Sequence, residues 1–220
     1  MFIGFTGVKR AGKTTAFTFI KDKYPEVREI ALADKLKSAS ATIFGIPKSA
    51  FDAVNLKERE LDVPVYLTSE AVSDLISYFG VTPDFEKHVR PHLNQILYTP
   101  RQIAQYVGTE ILRNVDYDIH CKSVTSDLPE DGIFIVTDMR FPNEYDFFSL
   151  RYERDFYPYY ICNNRAELGS RDDTHASEKH VFDIVKKCHQ IDNNGSLEDL
   201  RKNVLKEFES VLELYKNKGL

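Results

Sequence analysis

The chain has 220 residues, of which 42% are hydrophobic and 29% charged, and this is typical of a globular protein with one sizeable core rather than two large domains. The net charge of −5, with both signs mixed along the chain, argues against nucleic-acid binding through a broad basic face and favours small anionic ligands. The three cysteines lack a C-x-x-C spacing, which excludes the usual zinc and redox motifs. No apolar run approaches the about 18 residues that a transmembrane helix needs. We therefore expect a cytoplasmic protein that binds neither nucleic acid directly nor membranes.

The N-terminal segment predicts a strand, a glycine-containing loop and a helix. The apolar run FIGFT (Phe2 to Thr6) is typical of a buried strand, and TTAFTFIKDKY has helical spacing at Phe17, Ile20 and Tyr24. Between them GVKRAGKT matches the phosphate-loop pattern G-x-x-x-x-G-K-[ST]. In this setting backbone N–H groups converge on an anion at the helix N-terminus, where the helix dipole also favours negative charge.

The loop pattern predicts a binding site for ATP with magnesium. Lys13 is expected to reach the β- and γ-phosphates, and the Thr14 hydroxyl to bind Mg²⁺. The predicted ATP-binding residues of this segment are Gly7, Val8, Lys9, Arg10, Ala11, Gly12, Lys13, Thr14 and Thr15.

The strand-to-helix alternation continues, with one interruption. VREIALA predicts a second strand, and DKLKSASATIFG a helix with Asp34 as a candidate N-cap and Gly45 at its end. From Pro47 to about Asp131 the apolar pattern is helical, with no convincing strand. Strands return as GIFIVTD, FYPYYICN and CHQIDN, and a long amphipathic helix follows.

This order predicts an α/β fold with a parallel sheet flanked by helices. We expect a core formed by residues 1–46 and 132–220, and a helical insertion at 47–131. A short lid is expected at about 163–178, between the fourth and fifth strands.

A carboxylate for the predicted magnesium follows the third strand. Asp138 comes directly after the apolar run IFIV, and Arg140, two residues later, can aim a planar cation at a phosphate. The alternatives are that Asp138 caps the helix starting near Pro142 and that Arg140 forms a surface ion pair. The metal ligands predicted from the sequence are Thr14 and Asp138.

These elements are shared by switch GTPases, motor ATPases and small-molecule kinases. The base-reading motif N-K-x-D of GTPases is absent from the sequence, and motor ATPases usually have longer chains. A kinase for small substrates needs an acceptor-binding lobe and an arginine-bearing lid that excludes water. The helical insertion and the polar segment NNRAELGSRDDTHASEKH are candidates for these two parts.

The chain resembles the phage-type deoxynucleoside monophosphate kinases of the P-loop nucleoside monophosphate kinase superfamily. The resemblance extends nearly end to end, over GVKRAGKTT, LADKLK, TPRQIAQYVGTEILRN, VTDMRFPNE, DDTHASE and IDNNGSLEDL. Some members have Asp after the loop lysine, where this chain has Thr14; this difference favours magnesium binding by the hydroxyl.

The segment TPRQIAQYVGTEILR predicts an acceptor-binding helix, with Thr99 as N-cap and Pro100 at its first position. Arg101, Gln105 and Thr109 recur every four residues and therefore share one face. The resemblance implies that this face binds a nucleoside monophosphate, with Arg101 on the phosphate, Gln102 or Gln105 on the base, and Glu110 on Arg113 or the sugar. A solvated polar face is the alternative. The dNMP-binding residues implied are Asp34, Lys37, Arg101, Gln102, Gln105, Thr109, Glu110 and Arg113, although for Asp34 and Lys37 a cap and a surface lysine explain the residue types nearly as well.

Further residues complete the predicted site. The resemblance adds Asn193 and Gly195 to the ATP-binding residues. Either of the lid residues Arg165 and Arg171 can stabilise the transferred phosphoryl group. The predicted catalytic residues are Lys13, Asp138, Arg140, Arg165 and Arg171.

We therefore expect phosphoryl transfer from ATP to deoxynucleoside monophosphates, with Mg²⁺ as cofactor and small molecules as partners. Two alternatives stay open: another small-molecule kinase, of the phosphomevalonate or dephospho-coenzyme A type, and a non-catalytic nucleotide-sensing module. The bases accepted and the oligomeric state, including a homodimer, also stay open.

Overall fold

The computed structural model describes residues 1–53, 55–166 and 180–218, which form two compact units. The first unit contains a five-stranded parallel sheet in which the first strand of the chain is central. Its strands are β1 (Phe2–Thr6), β2 (Arg28–Ile30), β5 (Phe134–Val136), β6 (Phe156–Cys162) and β7 (His189–Asp192), in the order β2-β5-β1-β6-β7.

Both faces of this sheet are covered by helices. They are α1 (Lys13–Lys23), α8 (Pro142–Tyr152), α9 (Val181–Ile184) and α10 (Leu197–Lys218). Ile3 and Phe5 belong to a buried cluster that includes Ile20 of α1 and Phe208 of α10. Because successive strand residues point to opposite faces, Phe2 lies on the other side, where its ring stacks on Phe148 of α8 at 5.3 Å. Burial of β1 on both faces explains its unbroken apolar sequence.

The parallel arrangement places the functional segments at one edge of the sheet. Phe2 pairs with Phe134 on one side and with Phe156 on the other, and Tyr159 pairs with His189. The carboxyl ends of β1, β5, β6 and β7 therefore lie along the same edge, where ligands bind in open α/β sheets. This is the α/β fold, with a parallel sheet flanked by helices, that the sequence predicts.

The second unit is mainly helical. Its helices are α2 (Asp34–Phe44), α3 (Lys48–Asp52), α4 (Ser69–Tyr78), α5 (Pro100–Gln105), α6 (Arg113–Val115) and α7 (Ile119–Thr125), with a π-helical segment at Tyr106–Leu112 between α5 and α6, another at Phe85–Val89, and a 3₁₀ turn at Arg90–His92. Its core includes Leu75, Ile103 and Ile111, which are fully buried.

Two expectations for this unit are wrong. A two-stranded antiparallel sheet, β3 (Val65–Tyr66) with β4 (Ile96–Leu97), lies in the stretch predicted to lack strands. Strands of two residues are too short to show an alternating pattern. Asp34 is also not an N-cap: α2 begins at Asp34, and Ala33 occupies the cap position without a side-chain bond.

The division between the units also differs from the expected domains. The first unit comprises Met1–Ala31 and Leu128–Leu220, and the second Leu32–Asp127. Helix α2 therefore belongs to the helical unit, because Leu36 and Ala39 are buried in that unit's core. Within the described ranges no helix is both long and apolar enough to cross a membrane.

Candidate functional site

The loop between β1 and α1 has the backbone conformation of a tight anion-binding turn. Gly7, Arg10 and Gly12 have φ angles of 152°, 67° and 100°. At Gly12 a β-carbon would lie 2.6 Å from Nδ2 of Asn193, and at Gly7 one would lie 3.0 Å from the carbonyl oxygen of Ile161. At these two positions only glycine combines the backbone angle with such close packing.

The N-terminus of α1 is open toward this loop. Gly12 is the cap residue, no side chain caps the helix, and its first turn contains no acidic residue. Its first N–H groups therefore depend on another partner, and the helix dipole favours an anion there. The Lys13 ammonium donates to the carbonyl oxygens of Gly7 and, at 3.0 Å, of Val8. A cation thus lies beside a helix N-terminus that no side chain caps.

The remaining loop residues contribute in different ways. Val8 and Ala11 are fully buried, and the N–H of Ala11 donates to the carbonyl of Val8 at 3.1 Å. Their side chains anchor the loop, so that only their backbones can face a ligand. Lys9, Thr14 and Thr15 are at least partly exposed, as is Arg10.

Asp138 and Arg140 follow β5 at the same edge of the sheet, and both are half-buried. Helix α8 begins at Pro142 with Phe141 as its cap residue, and Oε2 of the buried Glu144 accepts the N–H groups of Arg140 at 2.6 Å and Phe141 at 3.0 Å. The cap function considered for Asp138 is therefore filled by Glu144. Glu144 is not recognisable from the sequence as a capping residue, because an apolar residue stands where the capping box usually has Ser or Thr.

The donors present fit magnesium bound together with a nucleotide. No group of three or more His, Cys, Asp or Glu side chains that could hold a metal occurs among the described residues. Mg²⁺ commonly keeps several waters and takes only one or two protein oxygens beside substrate phosphates. The Thr14 hydroxyl and the Asp138 carboxylate match this requirement.

Asn193 and Gly195 lie directly after β7. Asn193 Nδ2 donates to the carbonyl of Ala11 at 2.8 Å, so this side chain contacts the loop itself. Gly195 lies against Asp199, whose carboxylate accepts the N–H of Ser196 at 2.8 Å and thereby caps α10. Both residues have local structural roles that the sequence did not indicate.

The lid prediction falls mostly outside the described residues. Arg165 is described and exposed, shortly after β6. Arg171 and the rest of the predicted lid from residue 167 onward lie outside the described ranges.

The predicted acceptor helix begins as expected. Thr99 is its N-cap and accepts the N–H of Gln102 at 3.1 Å. The side-chain oxygen of Gln102 in turn accepts the N–H of Tyr98 at 2.8 Å. Because Gln102 takes part in this cap, Gln105 is the more suitable of the two for contact with a base.

The π-helical segment affects the face on which Arg101, Gln105 and Thr109 lie. In an α-helix four residues turn about 40° more than a full circle, so such a row drifts around the helix. The π-helical turn at Tyr106–Leu112 contains more residues per turn, so each residue rotates by a smaller angle and the drift is reduced. All three side chains are half-buried, as is Arg113, whereas Glu110 is exposed.

Arg101 is held by the segment that precedes β3. The side-chain Nε of Arg101 lies 2.5 Å from Oε1 of Glu58, an ion pair whose geometry is not that of a hydrogen bond. The backbone N–H of Arg101 donates to the carbonyl of Lys57 at 2.9 Å. The Arg101 side chain is 23% exposed and that of Glu58 51%. At the other end of the helix, Arg113 Nη1 donates to the carbonyl of Tyr117 at 3.4 Å.

Asp34 and Lys37 form ion pairs with α3. Asp34 Oδ1 lies 2.5 Å from Lys48 Nζ, and Lys37 Nζ lies 2.8 Å from Asp52 Oδ1. Both pairs join α2 to α3 within the second unit. As surface ion pairs they contribute little to stability.

His120 packs beneath the acceptor helix, which the sequence did not indicate. Its Nε2 lies 3.1 Å from the carbonyl oxygen of Gly108, so Nε2 carries the proton and donates. Gly108 allows close packing, since a β-carbon there would lie 2.9 Å from Leu36. Burial, with a smaller effect of the Arg113 charge, lowers the pKa of His120 to about 4. His120 is therefore neutral at physiological pH.

One curated relative aligns over nearly the whole chain. It is the "Putative deoxynucleotide monophosphate kinase" of Acanthamoeba polyphaga mimivirus, which is 27% identical over an alignment 219 residues long that covers 93% of this chain and 94% of the relative. No protein-family model matches the chain.

Two solved structures are similar at 15% identity. TT1252 from Thermus thermophilus has a TM-score of 0.45 and aligns over 96% of this chain and 97% of its own. The dephospho-CoA kinase from Campylobacter jejuni has a TM-score of 0.39 and aligns over 96% of both chains. We infer no function from either structure.

Proposed function

We propose that this protein is a kinase that transfers the γ-phosphoryl group of ATP to deoxynucleoside monophosphates. The observation that carries the proposal is the uncapped N-terminus of α1 beside the Lys13 ammonium, within a loop whose glycine conformations permit close approach of a phosphate chain. The name of the mimivirus relative supports the choice of acceptor.

The first unit binds the donor. The loop amides and Lys13 hold the phosphates, and Arg140, whose backbone is fixed by Glu144, places a second cation at the edge of the sheet. Magnesium held by Thr14 and Asp138 supplies further positive charge to the phosphates. These groups act by neutralising charge that develops on the transferred phosphoryl oxygens.

The second unit binds the acceptor through the helix that starts at Pro100. Arg101 binds the monophosphate and Gln105 the base, while Thr109, Glu110 and Arg113 complete the face. A monophosphate oxygen is already anionic near neutral pH and attacks the γ-phosphorus without a general base, so catalysis depends on positioning and electrostatics.

A coupled ADP-release assay over a panel of acceptors tests the proposal. The panel contains the four common dNMPs, the matching ribonucleotides, dephospho-coenzyme A and phosphomevalonate, each with ATP and magnesium. Stimulation by at least one dNMP well above the other compounds is expected. A preference for dephospho-coenzyme A or phosphomevalonate would reassign the acceptor. ATP binding without stimulation by any compound would indicate a nucleotide-sensing module.

A further inference from the structure

The side chain of Asn193 joins the end of β7 to the phosphate loop. Its Nδ2 donates to the carbonyl oxygen of Ala11 at 2.8 Å, a contact between residues 182 positions apart in the sequence. The hydrogen bonds that Lys13 Nζ and the N–H of Ala11 donate to the carbonyls of Gly7 and Val8 are internal to the loop. The Asn193 contact differs from these because it ties the loop to a different strand.

The contact is matched to the glycine that follows Ala11. Gly12 has a φ of 100°, and a β-carbon there would lie 2.6 Å from the same Nδ2 atom. The amide group of Asn193 thus fills the space that the missing side chain leaves. The two residues are complementary in shape as well as in hydrogen bonding.

Asn193 is itself fixed by the sheet. Its N–H donates to the carbonyl of Cys162 at the end of β6, at 2.8 Å. The preceding residue is also held, because Asn203 Nδ2 of α10 donates to the carbonyl of Asp192 at 3.0 Å. The carboxamide therefore extends from a rigid base to the loop.

We propose that Asn193 is a positioning residue, which promotes phosphate binding by orienting the Ala11–Gly12 peptide and does not contact the nucleotide base. A trans peptide holds its C=O and N–H in opposite directions, so fixing the Ala11 carbonyl also fixes the direction of the Gly12 N–H. That N–H is one of the donors through which the loop binds phosphate. This deepens the donor half of the proposed function and rests on it.

The test compares three ligands that share a polyphosphate chain and differ in the base. ATP, GTP and inorganic tripolyphosphate, each with magnesium, are titrated calorimetrically into the wild-type protein and Asn193→Asp. The variant is nearly isosteric but places a carboxylate oxygen against the Ala11 carbonyl. Loss of this partly buried hydrogen bond, together with the repulsion, should weaken binding about tenfold to a hundredfold, and by the same factor for all three ligands.

Asn114→Asp is the matched control, since it makes the same chemical change at a carboxamide that donates to a backbone carbonyl outside the loop, that of Glu110 in the second unit. It should leave the three affinities within about twofold of the wild type. If Asn193→Asp does not fold, Asn193→Ala replaces it; this variant removes the donor without adding charge, and a loss shared by all three ligands is again expected.

Two outcomes would overturn the proposal: a loss confined to ATP and GTP, which would assign Asn193 to the nucleoside, and unchanged binding of all three ligands. A further readout is pH. Protonation turns the carboxylate introduced by Asn193→Asp into a donor, so the affinity of this variant relative to wild type should recover as the pH falls toward the ordinary aspartate pKa of about 4. Because no acceptor is present, failure of the dNMP assay would leave this test intact.

Discussion

Glu144 and Arg140 are joined by a hydrogen bond of 2.6 Å between a buried carboxylate oxygen and a backbone N–H. The same oxygen accepts the N–H of Phe141, so one side chain both caps α8 and fixes the segment that carries Asp138 and Arg140. Glu144 therefore stabilises the segment VTDMRFPNE, of which it is itself a part.

Replacement of Glu144 by Ala should lower the free energy of unfolding by about 1 to 3 kcal/mol, because it leaves two amide groups without their acceptor. Glu144→Gln should recover part of this loss, since a single amide oxygen can accept both bonds. Urea unfolding measures the stability of both Glu144 variants, with Glu198→Ala in the first turn of α10 as the control. Equal stability of Glu144→Ala and wild type would contradict the capping role.

Lys13→Ala should reduce turnover at least about a hundredfold, the loss expected when a transition-state contact worth about 3 kcal/mol is removed. The fold should survive, because the hydrogen bonds described above for Lys13 go to carbonyls of its own loop. Steady-state kinetics and thermal unfolding of the same preparation check this. A folded variant with near-normal activity would falsify the phosphate-loop assignment.

Asp138→Asn should impair magnesium-dependent turnover much more than stability, since Glu144 and not Asp138 caps α8. The amide retains the size of the carboxylate but not its charge, so the magnesium concentration needed for half-maximal activity should rise about tenfold or more. Magnesium titration at saturating ATP measures this shift. An unchanged magnesium requirement would remove Asp138 from the metal site.

Several features were predictable from the sequence because their signals are local. The strand Phe2–Thr6 is continuous and apolar, and the Thr99 cap needs only the residues that follow it. The contact of Asn193 with Ala11 could not be predicted, because its acceptor is a backbone carbonyl, which every residue has. The hydrogen bond between His120 and the Gly108 carbonyl of the π-helical segment likewise could not be predicted, because it joins two different helices.

His120 should make stability dependent on pH in a defined window. Its pKa is about 4 in the folded protein against about 6.5 when unfolded, so between these values the unfolded chain binds the extra proton. The contribution of His120 to the free energy of unfolding is thus fully present above pH 6.5 and is lost as the pH falls toward 4. The total loss is about 3 kcal/mol, at 1.36 kcal/mol per unit of pKa difference. Unfolding of wild type and His120→Gln in urea at pH values of about 7.5, 6 and 5 isolates this contribution. Parallel pH profiles would show that His120 does not supply it.

Arg101 offers the sharpest test of the acceptor helix, because its ion pair with Glu58 provides a matched control. If Arg101 binds the acceptor phosphate, Arg101→Ala removes a charge-assisted contact worth about 2 to 4 kcal/mol. The kcat/KM for dNMP should then fall about thirtyfold to a thousandfold, while the KM for ATP changes little.

Arg101→Lys should recover activity only in part, since a point charge does not reproduce the planar guanidinium. Glu58→Gln breaks the same ion pair but leaves the guanidinium in place, so it should leave the KM for dNMP unchanged or lower it. The measurement is steady-state kinetics with each substrate varied in turn. If Glu58→Gln and Arg101→Ala raise that KM equally, the ion pair itself is what matters and Arg101 does not bind the phosphate. If Arg101→Ala instead weakens ATP binding and leaves dNMP unaffected, the helix that begins at Pro100 is not the acceptor site.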